Sequence, residues 1–274
     1  MNVNEAYRQV CKDLLANGFP IDGGDTVTRG DSLELVNYSF TVDDLSNNVV
    51  SLATRNTSLT YLAAETVWYW TGRNDVDFIG KFAKLWTRIS DDGITNNSAY
   101  GYILKYKFGF NQIDKIIELL KTDKNTRRAV LNINTPNENV ITTKDEMCTI
   151  ALVFQIRDNK LNCTGIMRSN DLIYGLTYDI SYFTQLQKYI AHEVGIEVGS
   201  YTHFTTSMHV YKKDFTLLEN IANGNLDEST CHINIDKLVD DNNIKCIVDF
   251  VDNNWTNRDD FNKMLFELGV LYEE

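Results

Sequence analysis

The chain has 274 residues, a net charge of −12 at pH 7 and 43% hydrophobic residues. That length buries a sizeable core, and the even composition favours one domain over residues 1–274; the acidic balance excludes general binding to nucleic-acid backbones, which needs many lysines and arginines. With no basic start leading into an apolar run, and no stretch near the ~20 apolar residues of a membrane helix, a cytoplasmic protein is expected.

In chain order, residues 3–16 place Val10, Leu14 and Leu15 at helical spacing and stop at Asn17 and Gly18. After the turn through Pro20 and Gly23-Gly24, Ser32 to Val42 alternates as a strand does. Helices are predicted at Leu59 to Trp70, ending at Gly72, at Asp77 to Trp86, and at Asn111 to Lys121, where Ile113, Ile116, Ile117 and Leu120 share a side. Strands follow at Arg128 to Ile133, Thr149 to Arg157 and Leu161 to Arg168, the last two separated by an Asp158-Asn159-Lys160 turn. Asp179 to Val194 is the strongest helical pattern, with Phe183, Leu186, Ile190 and Val194 in a stripe. His203 to Tyr211 and Lys245 to Val251 read as strands, and the acidic end from Asp259 as a docked helix or tail. Mixed elements without a βαβ rhythm predict an α+β fold, a mixed sheet packed with helices.

The cysteines Cys11, Cys148, Cys163, Cys231 and Cys246 are odd in number and scattered, which argues against a disulfide framework and a zinc site, and no metal is expected. Taken alone, Cys148 at the start of a strand reads as a small buried hydrophobe. The next segment, Met167-Arg168-Ser169-Asn170-Asp171, changes that balance, because charged and polar groups at a strand end are costly to bury unless they bind something.

From Met147 to Asp179, a cysteine, then Arg168-Ser169-x-Asp171, then a Gly175-x-x-Tyr178-Asp179 turn follow in order. Ala64-Glu65 leading to Gly72, Tyr100-Gly101, Thr126-Arg127-Arg128 and His209-Val210-Tyr211 accompany them. Together these resemble the thymidylate synthase family, including its deoxycytidylate and cytidylate hydroxymethylases, from about Phe19 to Lys213; beyond about 214 the chain diverges. The resemblance implies a thymidylate-synthase-like fold whose sheet face forms a homodimer interface. It also implies a pyrimidine nucleotide substrate and 5,10-methylenetetrahydrofolate as cosubstrate.

By the same resemblance, the Cys148 thiolate attacks C6 of the pyrimidine, with Arg168 as the nearby positive charge and Glu65 as general acid/base. Arg127 and Arg128 reach the phosphate in the partner's site, and Arg168 and Ser169 hold it from their own chain. Arg29 lies near a flexible phosphate-binding arginine of the family, though its local pattern is out of register. His209 and Tyr211 take the sugar hydroxyl, and Trp86, Asp171, Tyr174, Gly175 and Tyr178 surround the folate. Without the resemblance, Glu65 is a helix glutamate, Arg127-Arg128 an exposed pair and Asp171 a strand-end carboxylate.

Asp179 stands where thymidylate synthases have asparagine. An asparagine matches O4 and N3-H of uracil, whereas a carboxyl matches the N4 amino group of cytosine. Helix capping is the alternative reason for Asp179. Met147-Cys148-Thr149 in place of Pro-Cys-His, and Met167 in place of glutamine, favour water over hydride at the final branch, hence 5-hydroxymethyl-dCMP. Ser169 favours the deoxy sugar. The alternatives are a CMP hydroxymethylase, a dCMP or dUMP methylase, and a non-catalytic nucleotide-binding protein.

Overall fold

A computed structural model describes residues 1–23 and 30–273. Two units are distinguished within the chain: Met1–Thr57, Asp114–Asn134 and Cys148–Ser229 form the first, and Ser58–Ile113, Thr135–Met147 and Thr230–Glu274 the second.

The first unit is built on a mixed sheet of seven strands: β1 (Phe19–Ile21), β2 (Ser32–Val42), β3 (Val130–Asn132), β4 (Thr149–Arg157), β5 (Lys160–Met167), β6 (Asn170–Asp171) and β7 (Glu197–Tyr211). Their order is β1-β2-β7-β5-β4-β3, with β6 also paired to β7. Asp158 and Asn159 take φ of 51° and 59°, as the tight turn of a hairpin demands, and Arg157 therefore faces Lys160. That turn sets the register from Arg157 opposite Lys160 to Ala151 opposite Ile166, and a bulge between Thr149 and Ala151 then shifts it by one residue, so that Thr149 faces Met167 at the far end.

β5 and β7 run parallel, which requires a crossover, and the helix Thr177–Val194 supplies it by packing on both strands. Gly195, at φ 77°, ends that helix in the left-handed conformation that glycine accepts without strain. Between β6 and the helix, Leu172–Leu176 forms a wide π-helical turn. The helix Val3–Asn17 packs on β2 and begins with a capping box: the Asn2 side chain accepts from the Glu5 N–H and the Glu5 carboxylate from the Asn2 N–H, both at 2.9 Å.

In the second unit the helix Leu59–Trp70 is buried almost all round, from Leu62 to Tyr69, and has Tyr100–Lys105, Ile235–Leu238, Asp241–Asn253 and Arg258–Glu267 against it. A two-stranded antiparallel sheet, Cys231–Ile233 with Leu271–Glu273, completes this unit. No helix among the described residues is long and apolar enough to cross a membrane.

The α+β class is as expected, and two local expectations are corrected. Lys245 to Val251 is not a strand: it lies inside the helix Asp241–Asn253. Its β-branched residues suggested a strand, but Ile247 and Val251 are four apart and bury one helical face, and Asp240 caps the start by accepting from the Asn242 and Asn243 N–H groups. The single helix expected over Asp77 to Trp86 is two short ones, Val76–Ile79 and Lys84–Ile89, interrupted at Gly80.

Gly101 marks a close approach of backbones in the second unit. A Cβ built there would lie 1.7 Å from the Tyr69 carbonyl oxygen. Gly101→Ala is expected to destabilise the protein by about 2–4 kcal/mol, because the facing group is backbone and cannot rotate away; an unchanged urea midpoint would contradict this packing.

Candidate active site

The β4–β5 register accounts for the first part of the site. Cys148 precedes β4 and Arg168 follows β5, so the antiparallel pairing that joins Thr149 to Met167 leaves these two side by side. The Arg168 N–H donates to the Cys148 carbonyl at 2.9 Å, and the Arg168 Nη2 lies 3.7 Å from the Cys148 Sγ. A guanidinium at that distance favours the anionic sulfur. The other thiols lie in different surroundings. Burial pushes the Cys11 thiol up to about 12 and raises that of Cys163, and Cys231 is raised by burial and by Glu273. Cys246 is exposed, and none of the five cysteines is in a disulfide.

The second part grows from the two residues after Ser169. Asn170 Nδ2 donates to Asp179 Oδ2 at 2.7 Å. Burial pushes the Asp179 carboxyl up to about 7; the Asn170 N–H opposes the rise and the neighbouring Asp171 charge adds to it. Asp179 sits in the first turn of its helix rather than at the cap. Capping is done by Asp171, whose Oδ1 accepts from Ile173 N at 2.7 Å and Tyr174 N at 2.6 Å and so opens the π-helical turn. The capping reading of Asp179 is therefore corrected, and one oxygen of Asp171 is engaged with backbone. Desolvation raises the Asp171 carboxyl above its ordinary range, while those N–H groups and His209 act against the rise.

The remaining residues of the first unit fall around this pair in different ways. Asp171 pairs with His209 across β6 and β7. His209 and Tyr211 share a face of β7 with their rings edge to face at 5.2 Å, and Ser207 Oγ lies 3.4 Å from His209 Nδ1. Ser169 is half-buried and Tyr178 buried. Tyr174 is exposed; its hydroxyl donates to Asp214 at 3.2 Å and Lys213 Nζ lies 4.2 Å over its ring. Gly175 is placed by packing: a Cβ there would come within 2.8 Å of Asn170 Nδ2. Arg127 and Arg128 are exposed just before β3. Arg29 lies outside the described residues.

In the second unit, Glu65 is buried on the helix Leu59–Trp70 and accepts from the Tyr61 hydroxyl at 2.5 Å. That hydroxyl in turn accepts from Trp86 Nε1 at 2.9 Å. The chain Trp86–Tyr61–Glu65 fixes one carboxylate oxygen and leaves Tyr61 saturated, so the glutamate is oriented rather than loose. Tyr61 was missed in the sequence, although its four-residue spacing from Glu65 on a helix was the available signal. Among the described residues, no cluster of three or more His, Cys, Asp or Glu is arranged to hold a metal ion.

The contact between Arg168 and Cys148 has a measurable consequence. Arg168→Ala is expected to slow iodoacetamide alkylation of Cys148 at pH 7.5 by roughly 10-fold, with Arg168→Lys keeping most of the rate. Equal rates in the three proteins would remove Arg168 from any part in activating the sulfur.

Similarity to known proteins agrees with this arrangement. The family model described as thymidylate synthase matches residues 5–261. The chain is 34% identical over 172 residues to the deoxyuridylate hydroxymethyltransferase of Pseudomonas phage M6, covering 61% of this chain and 49% of that protein. It is 35% identical over 174 residues to the deoxyuridylate hydroxymethyltransferase of Bacillus phage SP01, covering 59% and 45%. The chain thus spans about half the length of these curated relatives. In fold it is similar to thermostable thymidylate synthase A from Bacillus subtilis, with a TM-score of 0.69 and 22% identity over 85% of this chain and 89% of that one. With the family pattern matched over almost its whole length, the chain belongs to the thymidylate synthase family.

Proposed function

We propose that the protein transfers a one-carbon unit to C5 of dCMP and completes it with water, giving 5-hydroxymethyl-dCMP. The observation that carries this reading is the pairing of two contacts in one short segment: Arg168 on the sulfur of Cys148, and Asn170 on the carboxyl of Asp179. A nucleophile and a base-reading group thus come from the ends of the same pair of strands and the helix that follows.

Cys148 adds as thiolate to C6 of the ring, which makes C5 nucleophilic. 5,10-Methylenetetrahydrofolate supplies the carbon at the oxidation level of formaldehyde. C5 gains that carbon and loses its proton, tetrahydrofolate leaves as its bond to the carbon breaks, water adds to the exocyclic methylene so formed on the ring, and loss of the Cys148 thiolate from C6 restores the aromatic ring. Glu65 is assigned the movement of protons and the ordering of water, consistent with its fixed orientation on Tyr61. The exposed Tyr174 ring with Lys213 above it suits a flat pterin and an anionic tail. Arg127, Arg128, Arg168 and Ser169 are assigned to the phosphate, the first two reaching across a homodimer, and His209 and Tyr211 to the sugar.

Asp179 chooses the base. In its neutral form, one carboxyl oxygen donates to cytosine N3 and the other accepts from N4-H. Uracil does not match the ionised form, whose oxygens only accept and so oppose O4, and it does not match the neutral form when the proton lies on the oxygen that faces N3-H. A carboxyl that titrates near pH 7 reaches the neutral form at a modest energetic cost. A second reading, hydroxymethylation of dUMP, is favoured by the names of the two phage relatives.

The deciding experiment incubates the enzyme with methylenetetrahydrofolate and dCMP, CMP or dUMP, with mass spectrometry of the product. We expect hydroxymethyl-dCMP, one oxygen heavier than the methyl product. Asp179→Asn is expected to lower kcat/KM for dCMP by about 100-fold or more and to raise that for dUMP. An unchanged ratio between the two bases would refute the role given to this carboxyl.

A further inference from the structure

Asn170 was not among the site residues read from the sequence, yet it makes the closest contact to Asp179. It lies in β6, 2% exposed, held in register by pairing with Met208 of β7. Its Nδ2 donates to Asp179 Oδ2 at 2.7 Å, while its Oδ1 is buried and meets no donor among the described residues. Buried amides ordinarily satisfy both ends, and an unpaired carbonyl is costly. The side chain is thus held with its N–H on the carboxyl at the expense of its own oxygen. Gly175 permits the contact: a Cβ there would lie 2.8 Å from Asn170 Nδ2 and 3.4 Å from Asp179 Oδ2.

The two oxygens of a carboxyl become inequivalent once one of them accepts a hydrogen bond. The carbonyl-type oxygen of a neutral carboxyl accepts a hydrogen bond more strongly than its hydroxyl oxygen, so the Asn170 N–H on Oδ2 favours the acid form with its proton on Oδ1. Resting on the dCMP reading above, the geometry points to Asn170 as a positioning residue for base choice: by holding Asp179 Oδ2 it leaves Oδ1 to carry the proton toward N3 of the ring. Oδ2 retains a second lone pair for the N4-H of cytosine. Without Asn170 the proton can sit on either oxygen and the carboxyl can rotate, so the arrangement that rejects uracil is no longer enforced.

The same contact governs ionisation. Burial raises the Asp179 carboxyl, the Asn170 N–H lowers it, and Asp171 on the same short strand raises it again; Tyr201 of β7 is itself raised in part by the Asp179 charge. Removing the amide therefore lets Asp179 keep its proton to higher pH.

The test compares wild-type enzyme with Asn170→Ala by two readouts. In the first, 13C NMR follows carboxyl-labelled aspartate from pH 4 to 9, with Asp179→Asn identifying the Asp179 signal. The midpoint is expected to rise by about one pH unit in Asn170→Ala. In the second, the ratio of kcat/KM for dCMP over dUMP at pH 7 is expected to fall by about 10-fold or more. A purely structural role would lower both substrates together and leave the midpoint in place. An unchanged midpoint overturns the proposal whichever base is used. A wild-type enzyme that prefers dUMP overturns the dCMP reading, and the midpoint then still decides whether Asn170 controls Asp179. If Asn170→Ala does not fold, Gly175→Ala disturbs the same contact from the opposite side, and its midpoint is expected to move in the same direction.

Discussion

The antiparallel register of β4 and β5 is the constraint on which the site depends. Two residues in the left-handed region at Asp158 and Asn159 fix that register at one end of the hairpin, and the bulge between Thr149 and Ala151 shifts it by one residue at the other, where Cys148 and Arg168 meet. A slip of one residue would turn every side chain of β4 to the opposite face and part the sulfur from its cation. From Arg168 the chain needs only two residues to enter β6, where pairing with β7 holds Asn170 against Asp179. The two-residue turn and the bulge at the other end of its ladder thereby set the position of Cys148 together.

The two carboxylates at this end of the sheet are partnered differently. Asp171 is held by two backbone N–H groups and starts the turn that leads to the helix Thr177–Val194. Asp179, eight residues on, accepts from one side-chain amide and titrates close to neutrality. A carboxyl in that condition reaches its neutral form at little cost, and it distinguishes an amino from a carbonyl group when its proton is held on one oxygen. In the second unit, Glu65 is fixed through the Tyr61 hydroxyl that Trp86 itself supports.

Much of this was legible in the sequence because it is local. The helix Leu59–Trp70 and the strand Ser32–Val42 match their predicted limits, since capping residues, glycines and alternation act within a few positions. The segment Lys245–Val251 misled for the converse reason: seven residues rich in Ile and Val satisfy a strand pattern, and only the four-residue spacing of Ile247 and Val251, with the Asp240 cap, reveals the helix. Ordered motifs named Cys148, Arg168 and Asp179 as a set. They did not name Asn170, because its contact with Asp179 arises from a turn and a strand pairing that no periodicity encodes, nor Tyr61, whose role depends on where Trp86 falls.

Covalent capture tests the central claim most directly. A fluorine at C5 cannot leave as a proton does, so 5-fluoro-dCMP with methylenetetrahydrofolate arrests the reaction while sulfur remains bonded to C6. The account predicts a stable adduct, with tandem mass spectrometry placing it on the peptide containing Cys148, and far less adduct from 5-fluoro-dUMP. An adduct on another cysteine, or no adduct from either nucleotide, would contradict it.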